Sequence, residues 1–362
     1  MTATGVTLEQ WLTGIHAGPD STSSQVVVTQ RAELIAPMIR TAAIDGAATI
    51  YFQGEMDAVG RVGPPAQLMR LSGSFRANEH LFVDDGFELQ NRQYGAAEFA
   101  CFDLPTVLWI ENSDDLSAYL RDADDAWTTG RFAHHVTHPN AIVANLAGVG
   151  GPSTHAGPAD RLYVAADGAI RTSPTGRVLG ATGSSGLELN DGWSRANTTS
   201  AYPDASCLPA VIDDADRTEA LGERPWIARY LVVAAAIREI RRSYRQPARA
   251  SGFGGRLSAD LPRSDTPDAV SVPVLVQVGS KVQALDPASR VAVELSPASL
   301  AVIETLLEPP ELVRRWREVH GAGSVPVAID ELARGGVAQD WCARVLRNDP
   351  AKTTQQAPPE RV

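Results

Sequence analysis

The feature that most constrains the fold of this chain lies between residues 272 and 338. Three short runs rich in β-branched residues are separated by Gly279-Ser280 and Asp286-Pro287. The runs are residues 274–278, 282–285 and 290–295. Runs bounded by turn residues in this way are typical of strands joined as hairpins. Three segments with apolar residues at helical spacing follow, so the sequence predicts a module of one small sheet and three helices.

Helix signals define the second half of this module. Ser296-Pro297 supplies an N-cap residue and a proline at the first helical position. Pro309-Pro310, Gly321 and Gly335-Gly336 are expected to end the three helices in turn. Their apolar positions are Leu300, Ile303, Leu306 and Leu307, then Leu312, Val313, Trp316 and Val319, then Val327, Ile329, Leu332 and Ala333. The spacing predicts that each helix buries one face against the sheet.

This order of elements resembles the RiPP recognition element, a winged-helix fold that binds the leaders of ribosomally made, post-translationally modified peptides. The motifs that carry the resemblance are Leu-Glu-Pro at 307–309, Ile-Asp-Glu-Leu at 329–332 and Gly-Gly-Val at 335–337. The resemblance implies that a leader adds as an extra strand to an exposed sheet edge, beside the third helix. A generic winged helix is the alternative.

The third run is the expected edge strand. Side chains alternate along a strand, so the odd-numbered residues of 291–295 should pack and the even-numbered ones should face water. The expected peptide-binding residues are Arg290, Val291, Ala292, Val293, Glu294 and Leu295 on the edge, with Val327, Asp330, Glu331 and Arg334 on the third helix as the facing wall.

Composition excludes several classes of protein. At 362 residues and 44% hydrophobic content, the chain is long enough for two or three domains with a sizeable core. The net charge of −11 argues against a large nucleic-acid surface. No apolar run is long enough to cross a bilayer, and the first residues lack the pattern of a signal peptide. We therefore expect a cytoplasmic protein without membrane or nucleic-acid partners.

The three cysteines, Cys101, Cys207 and Cys342, are widely spaced and odd in number. This pattern builds neither a disulfide framework nor a CxxC metal knuckle. We expect reduced thiols that are mostly buried.

The middle of the chain carries a second resemblance. Residues 161–174, Gly176, Leu179-Gly180, Trp193 and Asn197 resemble the hairpin core of a SPASM-type domain from radical enzymes that modify peptides. Such domains hold iron–sulfur clusters through several cysteines. Thr172-Ser173-Pro174 stands where a cysteine is expected and only Cys207 follows, so we predict a region without a cluster that serves as a scaffold. The alternative is a plain β-hairpin with an Asp-Gly turn.

We predict an α+β fold of five segments. They are a mixed α/β domain at 1–130, a SPASM-like hairpin region at 131–246, a linker at 247–270, the winged-helix module at 271–345 and a disordered tail at 346–362. Helices are predicted at 7–14, 32–43 and 113–127, and strands at 25–28, 48–52, 67–71 and 106–110.

Six arginines crowd the boundary between the middle and the linker. They are Arg238, Arg241, Arg242, Arg245, Arg249 and Arg256. They are accounted for by a solvated helix C-terminus, where the helix dipole stabilises cations. A surface that attracts an acidic peptide or protein is the alternative.

No constellation commits the chain to catalysis. His134, His135 and His138 form the one histidine cluster, and the i, i+4 spacing of His134 and His138 would put two imidazoles on one helical face. A metal site also needs a third ligand and supporting carboxylates. There is no GxSxG elbow and no nucleotide-binding glycine loop. We predict no catalytic residue, metal or cofactor, and leave open whether the three histidines bind a metal.

The mixed α/β front, the cysteine-poor SPASM-like middle and the C-terminal recognition-element-like module together resemble the daptide biosynthesis RiPP recognition protein family. The resemblance implies a non-catalytic subunit that binds a precursor leader and presents the peptide to partner enzymes. Those partners are an alcohol-dehydrogenase-like oxidative decarboxylase, an aminotransferase and a methyltransferase, which convert a C-terminal threonine to an amine-bearing end. A winged-helix DNA-binding regulator and a metalloenzyme built on the histidine cluster are the alternatives.

Overall fold

The computed structural model describes residues 3–14, 25–45, 48–59, 67–84, 86–151, 157–198, 205–244, 246–258, 261, 266–308, 311, 313–314 and 324–347. The helices in these ranges are α1 (Ala3–Thr13), α2 (Ile35–Arg40), α3 (Ser113–Thr129), α4 (His134–Thr137), α5 (Gly186–Asn197), α6 (Asp214–Gly222), α7 (Ile227–Arg241), α8 (Pro297–Leu306), α9 (Ser324–Arg334) and α10 (Gln339–Arg347). Short 3₁₀ helices lie at Ala32–Leu34, Met56–Val59, Tyr94–Phe99, Leu146–Val149 and Ala205–Cys207.

The strands form two sheets. The first contains β1 (Val26–Thr29), β2 (Thr49–Gln53), β3 (Gln67–Gly73), β4 (His80–Val83), β5 (Phe87–Gln93), β6 (Thr106–Trp109), β7 (Ala141–Val143), β8 (Arg161–Val164), β9 (Ala169–Arg171) and β10 (Gly180–Ala181). The second contains β11 (Ala248–Ala250), β12 (Val274–Val278), β13 (Lys281–Leu285) and β14 (Ala292–Leu295). The fold is mixed α and β with a second antiparallel sheet, as the α+β prediction states.

The chain divides into two compact units. Unit 1 comprises Met1–Asp122 and Ala133–Ile227, and unit 2 comprises Ala123–Phe132 and Ala228–Val362. This division differs from the predicted segments. The hairpin region predicted at 131–246 shares its sheet with the N-terminal strands, because β8 pairs in parallel with β1.

Unit 1 is built on the ten-stranded mixed sheet, in the order β10-β9-β8-β1-β2-β3-β4-β5-β6-β7. Its centre is buried on both faces, since alternate residues of one strand enter different cores. Val26 and Val28 pack with Trp11 of α1 on one face, and Val27 packs with Ile35 of α2 on the other. This explains why the central strands read as continuous apolar runs.

The predicted β-hairpin of the middle region is confirmed. β8 and β9 pair antiparallel, with Tyr163 opposite Arg171, and Gly168 has a positive φ of 84° in the connecting turn. Glycine occupies that conformation without the steric cost that a Cβ adds.

Unit 2 is built on the antiparallel sheet in the order β11-β12-β13-β14. Its core joins Leu275, Ala284 and Leu295 of the sheet to Ile303 of α8 and Leu332 of α9. The hairpin strands and the first and third helices of the predicted module are therefore present. The second predicted helix lies mostly outside the described residues, apart from 311 and 313–314.

Aromatic contacts tie the short segment Ala123–Phe132 into unit 2. Phe132 stacks on Tyr230 of α7 with ring centroids 5.6 Å apart and an angle of 6° between the planes. Trp127 meets Phe253 edge to face at 5.6 Å. The aromatic residues of this segment therefore belong to the same core as α7.

The predicted linker at 247–270 has a different structure where it is described. β11 pairs with β12, so that Ala250 lies opposite Val276, and the side chains of Ser251, Phe253 and Arg256 are buried. Buried hydrogen bonds to Glu304 and Glu308 hold this stretch in place. The predicted disordered tail at 346–362 lies outside the described residues from 348 onward.

Candidate functional site

The predicted edge strand lies at one edge of the second sheet. β14 pairs with β13 through Ala284 opposite Val293 and Leu285 opposite Ala292. Within the described part of the chain, no strand pairs with the other side of β14. A strand in this position presents unpaired backbone groups that a further chain can join.

Hydrogen-bond geometry identifies those backbone groups. Asp286 N donates to Val291 O at 2.9 Å. In an antiparallel ladder, hydrogen-bonded pairs alternate with non-hydrogen-bonded ones. The next bonded pair toward the end of β14 is therefore formed by Val293, so the N–H and C=O groups of Ala292 and Glu294 point away from β13.

Two of the predicted edge residues lie outside the strand. Arg290 and Val291 belong to the turn between β13 and β14, and Arg290 has a positive φ of 58°. Residues other than glycine, asparagine and aspartate rarely have a positive φ. The strand that can accept a partner is thus Ala292–Leu295, shorter than predicted because the turn takes up its first two residues.

The side chains of β14 follow the predicted alternation, but Val291, which was predicted to pack, is 40% exposed in the turn. Leu295 is buried in the core and Val293 is partly buried against it, while Ala292 and Glu294 are exposed. The Glu294 carboxylate lies 2.7 Å from Lys281 Nζ, and both side chains are about half exposed. Sequence reasoning missed this ion pair because Lys281 precedes the predicted second strand.

Helix α9 packs beside β14 through its last turn. A Cβ added at Gly335 would lie 2.7 Å from Val293 Cβ, so only a residue without a side chain allows the two backbones to approach this closely. The prediction treated Gly335 only as a helix stop. Its close approach to the edge strand was not visible in the sequence.

Glu331, a predicted wall residue, joins α9 to the start of α8. Its carboxylate accepts a hydrogen bond from Ser296 N at 2.9 Å and a short one from Ser299 Oγ. Ser296 also caps α8 by accepting from Ser299 N. Glu331 is therefore occupied by contacts within unit 2 and is the least available of the four wall residues.

The environment of Glu331 shifts its pKa. Burial alone would raise the pKa of this carboxyl, but hydrogen bonds from Ser299 and Ser296 and the charge of Arg334 outweigh it and leave the pKa below its usual value. The group is thus ionised at neutral pH in the contact that fixes α9 against α8.

The remaining wall residues are exposed. Val327 is 63% exposed, and Asp330 and Arg334 face solvent. Successive helical residues are turned by 100°, so Val327 and Arg334 lie on the surface next to the line of Glu331 and Gly335. Within unit 2, the structure brings the end of α9 next to β14 at Gly335 and Val293.

The opposite edge of the sheet is different. β11 is only three residues long and carries the exposed side chain of Arg249. Short length and an exposed charge both disfavour the addition of a further strand. The sheet therefore has one protected edge and one open edge.

A buried polar network holds the residues between β11 and β12. Arg256 donates to Asp268 through two bonds of 2.8 Å and to Glu308 at 2.6 Å. Glu304 of α8 accepts from Leu257 N at 2.6 Å, Ser258 N at 2.7 Å and Ser251 Oγ at 2.5 Å. The network fixes the stretch predicted as a linker onto α8.

Two arginines of this network have shifted pKa values. Burial lowers the pKa of Arg229 to about 10, although Asp268 opposes the shift. Arg229 also donates to the carbonyls of Val272 and Pro273 at 2.8 Å each. For Arg256, burial would lower the pKa, but Asp268 and Glu308 raise it above the usual value. One of the six clustered arginines, Arg256, is thus structural, as is Arg229 of α7.

The histidine cluster does not form a metal site in the described residues, where no group of three possible ligands comes together. His135 Nε2 lies 3.1 Å from Asp122 Oδ2, and Tyr94 OH donates to the same oxygen at 2.8 Å. His138 stacks on Phe102 with ring centroids 5.0 Å apart, and His134 is 5.3 Å from His138. The rings take part in packing and hydrogen bonding within unit 1.

None of the described helices combines the length and the apolar character that a bilayer crossing requires. Comparison of the chain with protein-family models, curated proteins and solved structures found no match.

Proposed function

We propose that the chain is a non-catalytic subunit that recognises the leader of a precursor peptide in RiPP biosynthesis of the daptide type. The observation that carries the proposal is the open side of β14, where the backbone groups of Ala292 and Glu294 point away from the sheet. A leader in extended conformation would pair with these groups as an added strand.

Exposed side chains beside the edge support the same proposal. Val291 directly precedes β14 and is 40% exposed, and Val327 on α9 is 63% exposed, so both offer apolar surface to a peptide. Arg334 provides a cation next to this surface. Backbone bonds would supply affinity, and these three side chains would select among peptide sequences.

The partners belong to the proposal as well. A leader held at β14 leaves the far end of the peptide tethered, which raises its effective concentration at an enzyme bound to the same chain. The proposed partners are an alcohol-dehydrogenase-like oxidative decarboxylase, an aminotransferase and a methyltransferase acting on a C-terminal threonine. No catalytic step is assigned to this chain.

Fluorescence polarisation with a labelled synthetic leader, taken from the precursor encoded beside this gene, tests the proposal. We expect saturable binding by the full chain. Ala292→Pro removes one outward N–H and adds a ring at the edge, without removing a bond to β13. Losing one such bond at about 0.5–1.5 kcal/mol, together with the steric block, should weaken binding about tenfold or more.

The matched control is Ala292→Val, which keeps the N–H and favours a strand. It should bind the leader as the unchanged chain does. Equal binding by the proline and valine variants would show that the peptide does not join β14. No binding by the unchanged chain would remove the recognition role.

A further inference from the structure

We propose that a surface site on unit 1, formed by Arg76, Tyr163 and Arg171, binds the carboxylate group of a small molecule. Tyr163 belongs to β8 and Arg171 to β9, while Arg76 lies in the connection between β3 and β4. The edge of β14 belongs to the other unit, so this proposal does not depend on the function proposed above.

The site lies where the strand order of the large sheet changes direction. β1 has β2 and then β3 on one side and β8 on the other, and these four strands are parallel. Tyr163 lies opposite Val28 of β1, one residue before the end of β8. In parallel sheets, small ligands bind at the carboxyl ends of the strands at such a point. The topology therefore favours a binding site beside Tyr163.

Two arginines approach the hydroxyl of Tyr163. Arg171 is opposite Tyr163 in the β8–β9 hairpin, so the two side chains lie on the same face of the sheet. Arg76 directly follows Phe75, whose ring centroid is 6.0 Å from that of Tyr163. Burial raises the pKa of Tyr163 to about 12, while the charges of Arg171 and Arg76 oppose that shift. Both guanidinium groups are therefore within electrostatic reach of one hydroxyl.

Both guanidinium groups are open to solvent. Arg76 is exposed and Arg171 is partly exposed. Among the residues that the structure describes, neither side chain has an ion-pair or hydrogen-bond partner. Arg70 of β3, by contrast, is paired with Glu55 at 3.3 Å. Two unpaired cations on one surface can bind an anion that approaches from solvent, because a guanidinium forms strong hydrogen bonds to a carboxylate.

The Tyr163 hydroxyl supplies a neutral donor between the two charges. Since the pKa of Tyr163 is about 12, the hydroxyl keeps its proton at neutral pH. Within the described part of the chain this hydroxyl has no hydrogen-bond partner, and it is not sealed from solvent. The two oxygens of a carboxylate can accept from a guanidinium and from the hydroxyl at the same time.

The net charge of the site favours a carboxylate over a phosphate. The carboxylate of Asp167, in the turn between β8 and β9, adds to the rise that burial causes in the pKa of Tyr163, so it lies near the same hydroxyl. Asp167 Oδ1 also accepts from Ala169 N at 3.0 Å, which holds it in the turn. Two guanidinium cations and one carboxylate leave a single positive charge, which a bound carboxylate neutralises and a doubly charged phosphate exceeds.

Isothermal titration of the full chain with acetate, exchanged for chloride at constant ionic strength, tests the site. We expect one saturable site. Arg171→Gln and Arg76→Gln should each weaken acetate binding about tenfold, because each removes a charged donor. Arg70→Gln is the matched control, since it removes the same charge from an arginine that is already paired with Glu55, and it should bind as the unchanged chain does.

Asp167→Asn gives a test of opposite sign. Asparagine keeps an acceptor for Ala169 N but removes the negative charge beside the site, so acetate binding should tighten several-fold. A residue that served only the fold would not produce tighter binding. Tyr163→Phe should weaken binding several-fold without any change of charge, because it removes one donor.

Three outcomes would contradict the proposal. The absence of saturable acetate binding to the unchanged chain would remove the site, as would equal affinity in the Arg171→Gln and Arg70→Gln variants. Tighter binding of inorganic phosphate than of acetate would overturn the assignment to a carboxylate.

Discussion

Arg256 and Asp268 face each other through two parallel hydrogen bonds of 2.8 Å, and neither side chain is more than 4% exposed. With Glu308 accepting from Nε of the same guanidinium, this pair holds the stretch between β11 and β12 of the second sheet. The contact explains why a glycine-rich and arginine-rich stretch is part of a folded unit.

We expect Asp268→Asn to destabilise unit 2. The amide keeps the shape of the side chain but leaves the buried Arg256 with less compensating charge, and breaking such a pair costs about 3–5 kcal/mol. Urea unfolding followed by tryptophan fluorescence measures the loss. Asp330→Asn, at an exposed position of α9, is the control and should change the free energy of unfolding by less than about 0.5 kcal/mol. Similar values for the two variants would mean that the pair does not stabilise the unit.

Gly335→Ala should separate α9 from β14. The new Cβ would meet Val293 Cβ at 2.7 Å, and overpacking of this kind costs about 1–3 kcal/mol. Gly336→Ala is the control, since no atom lies within 4 Å of its added Cβ and only its positive φ of 75° is strained. Thermal unfolding should rank Gly335→Ala as the less stable variant. If the peptide joins β14, the alanine at 335 should also weaken leader binding, and the alanine at 336 should not.

The stability contributed by Glu331 should depend on pH. Its pKa in the folded state lies below the unfolded value, so its contacts stabilise the fold above the unfolded pKa and are lost as pH falls through the folded value. Glu331→Gln should therefore lower the free energy of unfolding by about 1 kcal/mol at pH 7 and by less at pH 3, below the usual glutamate pKa of about 4.3. Urea midpoints of both proteins at the two pH values measure the difference.

The control for this pH effect is Glu294→Gln, which removes the half-exposed ion pair with Lys281. Exposed pairs contribute about 0–1 kcal/mol, so this variant should show a smaller change at pH 7. An effect of Glu331→Gln that is the same at pH 3 and pH 7 would contradict the prediction.

The three thiols should differ in reactivity. Cys101 is exposed, Cys207 is buried, and burial raises the pKa of Cys342 to about 11. At pH 8 a disulfide reagent such as DTNB should modify one thiol in the folded protein and three after denaturation. The hydrogen bond and charge of Asp103 raise the pKa of Cys101, so Asp103→Asn should accelerate the single reaction. Reaction of all three thiols in the folded protein at one rate would contradict the burial of Cys207 and Cys342.

Local patterns account for what could be predicted from sequence. The strands β12 and β13 coincide with the predicted β-branched runs on either side of Gly279-Ser280. Helix α8 begins at the predicted Ser296-Pro297 cap. These features depend on neighbouring residues, so periodicity and turn chemistry are sufficient to find them.

The features that were missed depend on distant contacts. β4 and β5 were not predicted. In β5, polar residues that face outward alternate with the buried Leu89 and Asn91, so its buried positions do not read as an apolar pattern. The linker prediction failed at Arg256 because its partners Asp268 and Glu308 are 12 and 52 residues away. The packing of the 172–177 turn was not predicted because Ser173 donates to Cys207 O, 34 residues away.

The open edge of β14 has a consequence for handling the purified protein. β11 at the other edge is short and exposes Arg249, whereas β14 offers outward backbone groups with only Glu294 as a charged guard, and that residue is already paired with Lys281. Unprotected edges pair with one another, which is a common first step in aggregation. We expect concentration-dependent self-association in light scattering, reduced in Ala292→Pro, so the purified protein should be stored dilute.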